Sequence, residues 1–233
     1  MLDWLMETLF PPKMDAHAVP LESDVWLRPE DADSFGLVGI GGVLSVSRLL
    51  SAYRRGIFPM YEEGEPICWW SPDPRAVIDI DGLHVSRRLN RLMRSGKFEV
   101  TFDQNFVGVM KGCANRDEGT WITNEMLESY HELHDSEYAH SVEVWRDGEL
   151  AGGVYGVSIG GFFAGESMFS RERDASKVAL VHLFERLRNR GFELFDTQLL
   201  NEHTERLGAY EISRSEYLQR LRCALSKECS FRS

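Results

Sequence analysis

The sequence predicts an α+β protein built around a mixed sheet, and three observations carry that expectation. Residues 140–170, HSVEVWRDGELAGGVYGVSIGGFFAGESMFS, hold three strand candidates separated by two turn signals, Asp147-Gly148 and Ser158 to Gly161. A helix follows, opened by Asp174 and running to Asn189, with Gly191 as its stop. FELFDTQLL, residues 192–200, then reads as a further strand.

Taken in order, residues 1–35 are acidic, contain prolines and have no clear periodicity. FGLVGIGGVLS (35–45) is apolar and glycine-rich. Ser45 reads as an N-cap for a helix from Val46 to Arg55, with Gly56 at the C′ position. Pro59 in IFP prevents its continuation. ICWW and AVIDI are short strand candidates around the proline-rich turn of CWWSPDPR (68–75). That segment sets two tryptophans against an irregular Ser-Pro-Asp-Pro run. Either they face a ligand or they are core residues ending a strand. Residues 84–95 form a helix by pattern, with Val85, Leu89 and Leu92 on one face and Arg87, Arg91 and Arg94 on the other. FEVTFD is a strand, 103–114 and 123–134 are helices, and 214–226 is the last helix.

Composition bounds the function. The chain has 233 residues, 43% hydrophobic and 27% charged, which is ordinary globular composition with room for one large or two smaller domains. Cys68, Cys113, Cys223 and Cys229 form no C-x-x-C pair, so no disulfide framework or zinc ribbon is expected. The N-terminus lacks a basic, then long apolar, signal pattern, and no run of about 18 apolar residues occurs. A cytoplasmic protein is expected. The net charge of −11 argues against broad nonspecific nucleic-acid binding. Yet Gly82 to Phe98 holds Arg87, Arg88, Arg91, Arg94 and Lys97 and no acid.

Several motifs invite chemistry. GVSIG (156–160) fits a nucleophile-elbow pattern, but strand-like sequence on both sides puts Ser158 in a hairpin. GLVGIGG lacks dinucleotide-binding spacing. His131, His134 and His140 lack metal-ligand spacing and read as a solvated helix face. FDTQL is more informative, because strand alternation puts Asp196 and Gln198 on one face. Two polar groups there need partners, either structural ones or a substrate amine. Glu166, between apolar runs, calls for a raised pKa or a cationic partner such as Lys177 or Arg171. Leu180, Leu183 and Leu187 recur at helical spacing, as core or as the wall of an apolar pocket.

The element order strand-strand-strand-helix-strand is that of Gcn5-related acyltransferases, an analogy of fold alone. Collected in order, GLVGIGG, RLLSAYRRGIFP, CWWSPDPR, EGTWIT, HSVEVW, GGVYGV, GESMFSR, ASK and DTQLLNEHTERLGA resemble the bacterial leucyl/phenylalanyl-tRNA–protein transferase family. The matching residues run from Gly36 to about Leu218. The resemblance implies a small N-terminal α/β domain (1–72) followed by an acyltransferase-like mixed-sheet domain (73–233). It implies transfer of Leu or Phe, less often Met, from aminoacyl-tRNA to the N-terminal Arg or Lys of acceptor proteins. That marks them for the N-degron route of degradation. No cofactor, metal or membrane is implied.

The resemblance also implies residue roles. Asp196 and Gln198 serve the acceptor amine, Gln198 accepting its hydrogen bond and Asp196 polarising Gln198. Trp121 stacks on the terminal adenine, and Asn201 contacts the donor end. Val154, Leu180, Leu183, Leu187 and Phe195 form the donor side-chain pocket, with Gly165 and Glu166 at its wall. Met60 stands where the family usually has tryptophan. With the tRNA donor that the resemblance implies, the basic stretch of residues 84–97 assigns the tRNA backbone to Arg87, Arg91 and Arg94. A CoA-dependent N-acyltransferase on the same fold is the alternative. It needs helix-opening amides for pyrophosphate, and Glu172 and Asp174 argue against that. A noncatalytic RNA-binding module would require a broader basic surface.

Overall fold

The computed structural model describes residues 28–115 and 120–232; the expectations for residues 1–27 and for Glu118 and Gly119 lie outside the described residues. Strands β1 (Leu37–Ile40), β2 (Phe58–Pro59) and β3 (Cys68–Trp70) form a small antiparallel sheet in the order β1-β3-β2, joined by helix α1 (Val46–Tyr53). A seven-stranded sheet then uses β4 (Arg75–Ile78), β5 (Glu99–Phe102), β6 (Ala139–Arg146), β7 (Glu149–Ile159), β8 (Phe162–Ser170), β9 (Leu194–Gln198) and β10 (Tyr210–Ile212). Its order is β10-β4-β9-β8-β7-β6-β5, antiparallel except for β8 with β9. The intervening helices are α2 (Arg87–Arg94), α3 (Phe106–Ala114), α4 (Asn124–Asp135), α5 (Ala175–Asn189), α6 (Glu202–Arg206) and α7 (Arg214–Leu225). The expected order of three strands, a helix and a strand is β6-β7-β8-α5-β9, and the fold is α+β with a mixed sheet.

Cap chemistry decides where most helices start. The side chains of Ser45, Ser86, Asn105, Thr123 and Ser213 each accept a backbone N–H two or three residues into the helix that follows. Asp174 differs from its expected role. It occupies the cap position of α5 in a left-handed conformation, φ +67°, without a cap hydrogen bond. Its carboxylate instead takes Arg88 from α2 and Lys177 from α5. Helix α1 ends two residues earlier than predicted, and Gly56 follows at φ +76°.

Both faces of the large sheet are covered. Val142, Val144, Ala151, Val154, Phe163 and Phe195 pack under α5 and α2. On the opposite face α3, α4 and α7 supply Val109, Met126, Tyr130, Tyr217 and Leu221. The same cluster continues into Leu49, Tyr53, Trp69 and Trp70, so the small sheet shares a core with the large one. The two tryptophans are core residues, 0% and 2% exposed, and their indoles donate to the carbonyls of Gly41 and Met60. The histidines differ from a solvated face. His131 is exposed, His134 stacks on Phe106, and His140 is buried and bound to Asp103. Ser158 lies in β7, one residue before the hairpin end.

Candidate active site

Strands β8 and β9 pair in parallel only from Phe162–Leu194 to Ala164–Asp196, although β8 continues to Ser170 and β9 to Gln198. Two departures from strand regularity fill the gap that opens there. Register with β7 jumps from Ser167–Tyr155 to Gly165–Gly156, which leaves Glu166 as the extra residue of a β-bulge. Gln198 adopts φ +60°, uncommon for a residue with a β-carbon. The Gln198 side-chain N–H donates to Glu166 Oε1 at 3.2 Å and so closes the gap from both sides.

Asp196 holds the left-handed turn. Its Oδ1 accepts Arg75 Nε and the Gln198 backbone N–H, each at 2.9 Å; its Oδ2 accepts Arg75 Nη2 at 2.7 Å and the Tyr217 hydroxyl at 2.8 Å. Four donors use the whole acceptor capacity of a carboxylate. Asp196 therefore meets Gln198 through its backbone, whereas the Gln198 side chain meets Glu166. Arg75 is 1% exposed, donates to the Gly56 carbonyl and lies between the rings of Phe58 and Tyr217. Burial, aided by the Asp196 carboxylate and opposed by the Arg75 guanidinium, pushes the Tyr217 phenol well above its ordinary pKa.

Of the two alternatives for Glu166, the structure favours the raised pKa: among the described residues neither Lys177 nor Arg171 pairs with it. Arg171 donates to the Leu150 carbonyl and Lys177 to Asp174. What faces the Glu166 carboxyl is a pair of tyrosines, Tyr53 and Tyr130, the latter at 3.5 Å, whose hydroxyls bond each other. Burial raises the Glu166 pKa to about 8, against the lowering effect of hydrogen bonds from Tyr53 and Tyr130. Neither tyrosine was legible as a site residue, because each falls at a core position of its helix.

A cavity of about 110 Å³ opens on the α5 side of the gap. Val154, Gly165, Glu166, Leu180 and Phe195 line it together, with Ile78, Met168 and Thr197 added. Leu183 and Leu187 are fully buried and lie outside the lining. Gly165 leaves room that a side chain would close, since a β-carbon there would stand 2.7 Å from the Phe195 ring. The Thr197 hydroxyl is buried without a hydrogen-bond partner among the described residues, which is costly unless a bound group uses it.

The remaining expected residues lie around this centre. Asn201 caps α6, its oxygen accepting the N–H groups of His203 and Thr204 at 2.9 Å. Trp121 is half-buried against the core. Two residues further on, the Thr123 hydroxyl meets that of Tyr61, the neighbour of Met60. Arg87, Arg91 and Arg94 stand exposed along α2, while Arg88 and Lys97 pair with Asp174 and Glu172.

A family model described as leucyl/phenylalanyl-tRNA protein transferase matches residues 77–222. The N-terminal domain of the same family matches residues 42–73. The chain belongs to this family. It is by that membership an aminoacyltransferase. Relatives carrying the name leucyl/phenylalanyl-tRNA–protein transferase include one from Solidesulfovibrio magneticus, 50% identical over 89% of this chain and 86% of its own. Another, from Nitrosospira multiformis, is 48% identical over 95% of this chain and 91% of its own. A third, from Citrobacter koseri, is 52% identical over 80% of each. Among solved structures, the L-PGS of Bacillus licheniformis is 13% identical with a TM-score of 0.39, covering 67% of this chain and 51% of that one. A GCN5-related N-acetyltransferase from Kribbella flavida is 11% identical with a TM-score of 0.39, covering 70% and 60%. Likeness this loose adds nothing to the transferase reading, which rests on the family model and the sequence relatives.

Proposed function

We propose that this transferase moves Leu or Phe, and less often Met, from aminoacyl-tRNA to the N-terminal Arg or Lys of acceptor proteins in the cytoplasm, marking them for N-degron degradation. The observation that carries the proposal is the gap between β8 and β9. There an apolar cavity with one glycine wall adjoins a polar pair, Gln198 and Glu166, held in place by buried ion pairing.

The donor ester is already activated, so the protein needs no nucleophile of its own. It must position an amine against the ester carbonyl and handle the proton released as the bond forms. In this reading the donor side chain enters the cavity lined by Val154, Leu180 and Phe195. Gln198 accepts a hydrogen bond from the acceptor amine through its side-chain oxygen, since its N–H groups point to Glu166. Asp196, saturated by four donors, acts as a positioning residue. Trp121 stacks on the terminal adenine and Asn201 uses its amide nitrogen toward the donor end. Arg87, Arg91 and Arg94 take the tRNA backbone. The division into domains falls near residue 72. Family membership supports the donor; the acceptor follows from the resemblance alone.

The test is transfer of labelled Phe from Phe-tRNA to a peptide beginning with Arg, beside an acetylated peptide and an acetyl-CoA reaction. Product only with the free Arg terminus and tRNA donor is expected. Acetylation from acetyl-CoA instead would favour the thioester-dependent alternative.

A further inference from the structure

A neutral amide orients an amine but does not hold its proton, because a carboxamide is far too weak a base at neutral pH. The proton must pass to a titratable group, and the Gln198 side chain is hydrogen-bonded to one, the Glu166 carboxyl. Asp196 is unsuited, since Arg75, Tyr217 and the Gln198 backbone occupy all its lone pairs. We infer that Glu166 receives the proton of the acceptor amine and returns it to the leaving ribose oxygen, with the Tyr53–Tyr130 pair as its positioning support. The inference rests on the proposed transfer reaction and assigns it a base.

The step balances without a further reactant. The free amine attacks the ester carbon, the C–N bond forms, and one N–H proton moves to a Glu166 oxygen. The carbon–oxygen bond to the ribose then breaks and that oxygen takes the proton, leaving the carboxylate as it began. Placement favours this. Glu166 is the unpaired residue of the bulge, lines the cavity and bonds the amide that would hold the amine. The titratable and charged groups around it are the neutral phenols of Tyr53 from α1 and Tyr130 from α4, with Arg75 from β4 and Asp196 from β9. Burial and Asp196 favour its protonated form; Tyr53, Arg75 and Tyr130 favour the carboxylate. The balance at about 8 lies beside the ordinary range of an α-amino group, about 7.7–8.0, so the carboxylate forms over the same pH range in which the acceptor amine becomes free to attack.

The experiment is the single-turnover rate of Phe transfer to a saturating Arg-starting peptide across pH 6–9.5 for wild type, Glu166→Gln and Tyr130→Phe, with Phe-tRNA affinity measured alongside. The wild-type rate should rise with pH and level off above about 8, as the carboxylate forms. Glu166→Gln should lose about 10²- to 10⁴-fold in rate with unchanged Phe-tRNA affinity. Tyr130→Phe removes a donor to the carboxylate and should move the rising limb to higher pH; Tyr53→Phe serves if Tyr130→Phe does not fold. An inactive wild type would sink the transfer reading itself. An active wild type with Glu166→Gln within tenfold of it, or changed only in the peptide KM, overturns this inference alone. So does a limb that neither tyrosine variant moves.

Discussion

Asp196 and Arg75 illustrate how one residue's chemistry constrains another's shape. A glutamine at φ +60° is strained, and the Asp196 carboxylate helps hold it there by accepting its N–H. Asp196 is tolerated at 0% exposure because Arg75 meets it with two hydrogen bonds and Tyr217 with a third. Removing one member of such a pair strands the other in the interior. Arg75→Leu is expected to cost about 3–5 kcal/mol of folding stability. Urea denaturation measures it, and a loss under about 1 kcal/mol would show that water or a rearranged side chain replaces Arg75.

At the scale of elements, regular periodicity was legible and its interruptions were not. The caps at Ser45 and the three strands of 140–170 follow directly from residue type and alternation. Strand β10 and the short helix α6 were missed, since three and five residues give too short a pattern. The bulge at Glu166 was missed too, because an extra residue in a strand has no sequence signature of its own. Strand alternation paired Asp196 with Gln198, but left unread that they touch through the backbone. Helical spacing likewise joined Leu180, Leu183 and Leu187, while only Leu180 reaches the cavity. Two substitutions separate these positions. Leu180→Phe should penalise Phe transfer relative to Leu transfer by about 1–2 kcal/mol in kcat/KM. Leu183→Phe should instead lower the melting temperature by overpacking and leave the Leu/Phe ratio alone. A changed ratio for Leu183→Phe would move the pocket deeper along α5. Helix α2 carries a separate prediction. Arg87, Arg91 and Arg94 changed together to Ala should weaken tRNA binding and reduce the slope of log affinity against log salt by up to about 3. Fluorescence titration at several salt concentrations measures it, and an unchanged slope would put the tRNA backbone elsewhere.

Across the whole molecule, the site is assembled from parts far apart in sequence. Tyr53 comes from α1 beside the small sheet, Arg75 from the strand that follows it, Tyr130 from α4, Glu166 and Gln198 from the splayed strands, and Tyr217 from α7. The shared core makes this assembly stiff, since Tyr53, Tyr130 and Tyr217 are buried in one cluster that spans both sheets. Glu166, Asp196 and Gln198 were legible in the sequence, but Tyr53, Arg75, Tyr130 and Tyr217 were not, because contacts such as that between Arg75 and Asp196, 121 positions apart, leave no local pattern. The central claim is that the gap between β8 and β9 is where the peptide bond forms. Its most direct test is single-turnover transfer of Phe from Phe-tRNA to an Arg-starting peptide by Gln198→Ala, beside a thermal melt. The account predicts a rate at least about 100-fold below wild type with the melt unchanged. A folded Gln198→Ala protein that transfers at nearly the wild-type rate would contradict it.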